Sequence, residues 1–86
     1  MPEEEVGKVA GYFAQIGVAA IDITKGSLKV GDKIHIKGHT TDFEQTVDSL
    51  QVEHQNVSEA KPGDSIGIKV QDRVRDHDIV YKVLPE

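Results

Sequence analysis

Apolar and polar residues alternate along most of this chain, and the alternation has period two. Lys33-Ile34-His35-Ile36-Lys37 is the plainest instance, with two isoleucines on one face and three basic residues on the other. Successive side chains of an extended strand point to opposite faces, so this pattern predicts a half-buried strand. The same reasoning predicts strands over residues 6–13 and 18–24, the second with Ala19, Ile21 and Ile23 inward and Asp22 outward. Ile66, Ile68 and Val70 alternate inward along residues 65–70, and residues 79–83 end the series. Residues 43–55 read as one long strand with Leu50 and Val52 buried. Val47 has the opposite parity to Leu50, which predicts a bulged residue between them. Gly7 and Gly11 point to a bulge or a close backbone contact in the first strand.

Turn residues punctuate these runs at Lys25-Gly26, Gly31-Asp32, Pro62-Gly63-Asp64 and Asp76-His77-Asp78. No segment carries the period of an amphipathic helix. Six short antiparallel strands in 86 residues leave unpaired edges unless the sheet closes on itself. The expectation is an all-β protein, a single six-stranded closed β-barrel over residues 6–84. Residues 1–5 read as a disordered acidic tail, and Pro85-Glu86 as the end of the last element.

Charge and composition narrow the function. Ten Lys and Arg against fifteen Asp and Glu give a net charge of −5. That balance argues against coating nucleic acid without sequence preference, which needs a cation for each phosphate. The absence of cysteine excludes disulfides, thiolate zinc sites, iron–sulfur clusters and a cysteine nucleophile. No apolar run approaches a membrane span. The acidic start, Met1-Pro2-Glu3-Glu4-Glu5, is unlike a secretory signal, so a cytoplasmic location is expected.

Candidate catalytic chemistry is sparse. Gly26 and Gly31 have the spacing of a phosphate-binding loop, but Asp32-Lys33 stands where Lys and Ser/Thr should follow. A carboxylate there would repel phosphate, and no GTP binding by this chain is expected. His35 and His39 would lie about 13 Å apart on a strand, while His54 and His77 are isolated, so neither a metal nor a cofactor is expected. None of Ser27, Ser49, Ser58 and Ser65 sits in a Gly-x-Ser-x-Gly elbow. The chain is expected not to be an enzyme.

The outward faces carry more. Lys33, His35 and Lys37 form one basic row; Lys69, Arg73 and Arg75 continue a second. Adjacent rows would make an anion-binding strip that could contact RNA. The plainer reading is edge protection by exposed lysine. Phe13 and Phe43 are expected in the core, which leaves few aromatic rings for stacking on bases.

Three ordered segments resemble the second domain of translational GTPases such as elongation factor Tu. The first is Thr24-Lys25-Gly26-Ser27-Leu28-Lys29-Val30-Gly31-Asp32-Lys33-Ile34. The second, Ala60-Lys61-Pro62-Gly63-Asp64-Ser65-Ile66-Gly67-Ile68, is similar to an Ala-x-Pro-Gly-Asp-x-Val-Gly turn. The third, Val74-Arg75-Asp76-His77-Asp78-Ile79-Val80, falls where those factors have a basic residue and then Arg-Gly-Asp-Val. Thr40-Thr41-Asp42-Phe43-Glu44-Gln45 and Val80-Tyr81-Lys82-Val83 bring the chain closer to the small proteins called translation elongation factor-like, and to the barrel appended to collagenase-like peptidases.

The resemblance implies a closed barrel of the translation-factor domain-two type. It also implies a non-catalytic module with the ribosome or tRNA as partner; taken with the two basic rows, RNA would be contacted through Lys33, His35, Lys37, Lys69, Arg73 and Arg75. The pocket that holds the aminoacylated tRNA end in elongation factor Tu would fall at Gln51 and Ser65, with Gln51 replacing an acidic residue. The appended barrel implies the other reading, a protein-interaction module docking onto a peptidase-like enzyme.

Overall fold

The computed structural model describes residues 2–53 and 55–84; Met1, His54, Pro85 and Glu86 lie outside it. The described strands are β1 (Glu3–Phe13), β2 (Val18–Ile23), β3 (Leu28–Lys29), β4 (Lys33–Lys37), β5 (Asp42–Thr46), β6 (Gln51–Val52), β7 (Gln55–Asn56), β8 (Glu59–Ala60), β9 (Ser65–Lys69) and β10 (Ile79–Val83). β1, β2, β4, β5, β9 and β10 are the six of five residues or more, and they fall where alternation predicts. The expected long strand over residues 43–55 is instead broken into β5, β6 and β7. Val47 and Leu50 are both buried across the break, where Val47 N–H donates to Asp32 O at 2.8 Å and Val57 N–H to Leu50 O at 2.9 Å.

Strands β5-β4-β10-β1-β2-β9-β6-β7 form one antiparallel sheet in that order, and β3 pairs with β8. β1 also begins earlier than expected. Glu3, Glu4 and Glu5 pair with Val83, Lys82 and Tyr81 of β10, so this acidic stretch is strand and not a disordered tail. The register shifts between Glu5 and Gly7 and between Val9 and Gly11 are the bulges that the two glycines suggest. At Gly7 a Cβ would come within 2.5 Å of Asp22 O, so the backbones of β1 and β2 can approach only because that position has no side chain. The sheet curls around a core in which Ile21, Ile34, Ile36 and Leu50 are almost wholly buried. Each such side chain contributes about 1.5–3 kcal/mol.

The three motifs that carry the family resemblance are the same device used three times. In Lys29–Val30–Gly31–Asp32, Asp32 N–H donates to Lys29 O at 3.1 Å and Lys29 N–H donates to the Asp32 carboxylate at 2.8 Å. Lys61-Pro62-Gly63-Asp64 repeats both bonds at 3.0 and 2.9 Å, and Arg75-Asp76-His77-Asp78 at 3.1 and 2.9 Å. The third residue of each turn has positive φ: 97° at Gly31, 95° at Gly63 and 75° at His77. Glycine is at ease in that region, whereas a side chain is strained there, so His77 holds its turn at a cost the other two avoid.

The backbone ladder does not close, which corrects the closed-barrel expectation. Its ends are β5 and β7. β6 pairs with β9 only at Ile66 and Gly67, leaving the end of β9 without a ladder partner on that side. Gln45, at an inward position of β5 and only 7% exposed, fills the gap. Its Nε2 donates to Lys69 O at 2.8 Å, and its Oε1 accepts from Gln71 N–H at 2.8 Å. A side-chain amide carries the same donor and acceptor as a peptide group, so one glutamine stands in for a ladder rung.

Candidate functional site

A groove of about 500 Å³ lies on the outer face of β2, β9 and β6, and Gln51 and Ser65 both line it. Strand parity explains its floor. Ala20 and Gly67 are paired across β2 and β9, and both present little or no side chain, while Val18 adds apolar surface; Ile66 borders the groove with its side chain turned into the core. Ser65 Oγ donates to Asp22 Oδ1 at 2.8 Å at one end, and Gln51 Nε2 donates to Asn56 Oδ1 at 3.2 Å. Glu53 stands on the rim.

The far end is built by the β1–β2 hairpin. Gly17, with φ of 67°, closes the tight turn after β1, and its N–H donates to Phe13 O at 2.9 Å. This turn leaves Phe13 56% and Ile16 64% exposed beside the groove. Phe13 is therefore not a core residue as expected; Phe43 is half-buried and packs against the core. Sequence reasoning missed Ile16 altogether. The available signal was an isoleucine inside Ala14-Gln15-Ile16-Gly17, where a turn offers no interior for it.

The basic row on β4 is present but neutralised. Lys33 Nζ lies 3.0 Å from Glu44 Oε1 of β5. Lys37 faces Asp42 across the β4–β5 pair. His35 is clamped between acids, with Nδ1 2.7 Å from Glu3 Oε2 and Nε2 against Asp42 Oδ1. Lys69 lies on β9, separated from β4 along the ladder by β10, β1 and β2, and Arg73 and Arg75 are exposed in the segment joining β9 to β10. The two rows are thus not ladder neighbours, and the first offers few free cations to an anion.

The His35 contacts have an electrostatic consequence. The hydrogen bond with Asp42 raises the imidazole pKa above its ordinary 6.5, with burial opposing and Glu3 adding to the rise. The same bond lowers the Asp42 carboxyl below its ordinary range. A raised histidine pKa contributes stability that is complete below pH 6.5 and is lost as pH climbs through the folded-state value; the Asp42 contribution is lost as pH falls below the carboxylate range. Thermal melts of metal-free protein should therefore show a fall in Tm from about pH 6 to pH 8 that is smaller in His35→Gln. Equal falls in both would remove His35 from this role.

A family model described as elongation factor Tu domain 2 matches residues 17–75. The chain belongs to the elongation factor Tu domain 2 family. The solved C-terminal domain of a Geobacillus thermoleovorans protein named as a U32 peptidase superposes with a TM-score of 0.87 at 21% identity, covering 94% of this chain and 93% of that one. That likeness is one of fold. Curated relatives include an uncharacterized protease of Methanocaldococcus jannaschii, 40% identical over 78 residues, and a collagenase of Porphyromonas gingivalis, 41% identical over 78 residues. Each alignment takes in 90% of this chain but only 19% and 22% of those relatives, so this chain spans about a fifth of their length.

Proposed function

We propose that this chain is a non-catalytic docking module that seats on the peptidase portion of a U32-type peptidase through the groove between Phe13 and Gln51. The exposure of Phe13 and Ile16 carries the reading, because two large apolar side chains flanking an apolar groove are costly to leave in water. The relatives support the choice of occupant. In them the matching stretch belongs to chains roughly five times as long, and their names are those of proteases. Asp22 and Glu53 beside the groove add acidic groups to an apolar floor, which suits an apolar partner segment carrying a cation.

The pairing of Lys33 with Glu44 and of His35 with Glu3 and Asp42 argues against RNA as the occupant of the β4 face. In this reading Gln51 and Ser65 orient the partner at the polar end of the groove, and the exposed lysines keep the sheet soluble.

The test is calorimetric titration of this chain into the peptidase portion of a U32-type peptidase from the organism that makes it. Wild type should bind saturably, and Phe13→Ser with Ile16→Ser should weaken binding by about 30-fold or more, the loss of a hot spot of about 2 kcal/mol. Binding that ignores those changes but falls with Lys33→Glu and Lys37→Glu would overturn the proposal.

A further inference from the structure

We propose that Glu3, His35 and Glu44 form a binding site for a divalent transition-metal ion on the outer face of the sheet. One ligand atom from each lies within 4.8 Å of the other two. The residues come from β1, β4 and β5. Glu44 is the direct register partner of His35, and Glu3 reaches it across β10, whose Tyr81 pairs with His35 on β4. Three strands held in one ladder therefore supply the donors, and the adjustments needed are in exposed side chains, not in the backbone. Donors around a tetrahedral ion at about 2.0–2.1 Å stand a little over 3 Å apart, within reach of that adjustment.

The two sides of the imidazole have different surroundings. Nδ1 faces the Glu3 carboxylate at 2.7 Å, and Nε2 faces Asp42. With Nε2–H donated to Asp42, an ion that displaces the Nδ1 proton would find a lone pair on the Glu3 side of the ring, as in sites where a carboxylate behind the ring fixes a ligating histidine. His35 is also sheltered, with its side chain 14% exposed. One imidazole nitrogen with two carboxylate oxygens suits Zn²⁺, Co²⁺ or Ni²⁺; Mg²⁺ and Ca²⁺ prefer all-oxygen shells of six or more ligands. Lys33, 3.0 Å from Glu44, now occupies the cation's place beside that carboxylate and would swing out to solvent. A bound ion would tie the start of β1 to β4 and β5 across β10.

The test titrates zinc chloride, and magnesium chloride as control, into the whole chain produced without a histidine tag and freed of metal by chelation. Zinc should bind with 1:1 stoichiometry and raise Tm, and magnesium should do neither. His35→Ala and Glu3→Gln should each weaken zinc binding by about tenfold or more. His39→Ala, which alters an exposed turn histidine, should leave it unchanged. Circular dichroism of each variant establishes that it is folded, and Glu44→Gln gives an independent test should one variant not fold. Absence of 1:1 binding, or undiminished binding by folded His35→Ala, would overturn the site.

Discussion

Gln45→Leu is expected to cost about 2–3 kcal/mol, because it strips a partner from Lys69 O and from Gln71 N–H at once. For a domain of this size that is a fall in Tm of roughly 10–20 °C. Leucine fills a similar volume and is apolar, so a simple packing account would predict little change or a gain. A second variant, Gln45→Glu, distinguishes the two accounts further: it keeps an acceptor for Gln71 N–H but sets a carboxylate against the Lys69 carbonyl. Its loss should match that of Gln45→Leu at neutral pH and shrink when acid protonates the new carboxylate and restores a donor. Melts within a degree or two of wild type for both variants would mean that the open side of the sheet holds without this rung.

Gly67→Leu is expected to abolish docking while leaving the fold intact. Gly67 faces outward between Ala20 and Gln51, its φ is not in the left-handed region, and a Cβ there would meet only Val18 Cγ1, at 3.5 Å. The backbone therefore accepts a side chain, and a leucine at this position would stand in the groove. Affinity for the peptidase portion should drop by about 30-fold or more, with Tm unchanged or slightly higher as a strand glycine is removed. This differs from removing Phe13 and Ile16, which deletes contacts; here the contacts remain and the space is taken. Undiminished binding by a folded Gly67→Leu chain would place the docking surface elsewhere.

The strands were legible where alternation coincided with branched side chains, as in Lys33–Lys37 and Ser65–Lys69. The turns were legible because Gly31 and Gly63 meet a backbone requirement that few other residues satisfy. The open ladder was not. The gap it leaves is bridged by Gln45, whose polar side chain sits at an inward position and finds its partners 24 and 26 residues onward. Likewise His35 read as one cation in a basic row, because the acids that clamp it come from Glu3, 32 residues away, and Asp42, seven away on the next strand. Gln51 and Ser65 were brought to one groove by family likeness, yet its apolar wall escaped notice. Period-two reasoning sends Phe13 inward or outward with its strand, whereas its exposure is set by the bulge at Gly11 and the turn that follows.

The most direct test of the docking account is residue-resolved amide NMR of the isotope-labelled chain, titrated with the unlabelled peptidase portion. The account predicts shifts or broadening at Phe13, Ile16, Ala20, Gln51 and Gly67, with Lys33 and Lys37 unmoved. Perturbation centred on Lys33 and Lys37 with a silent groove would contradict it.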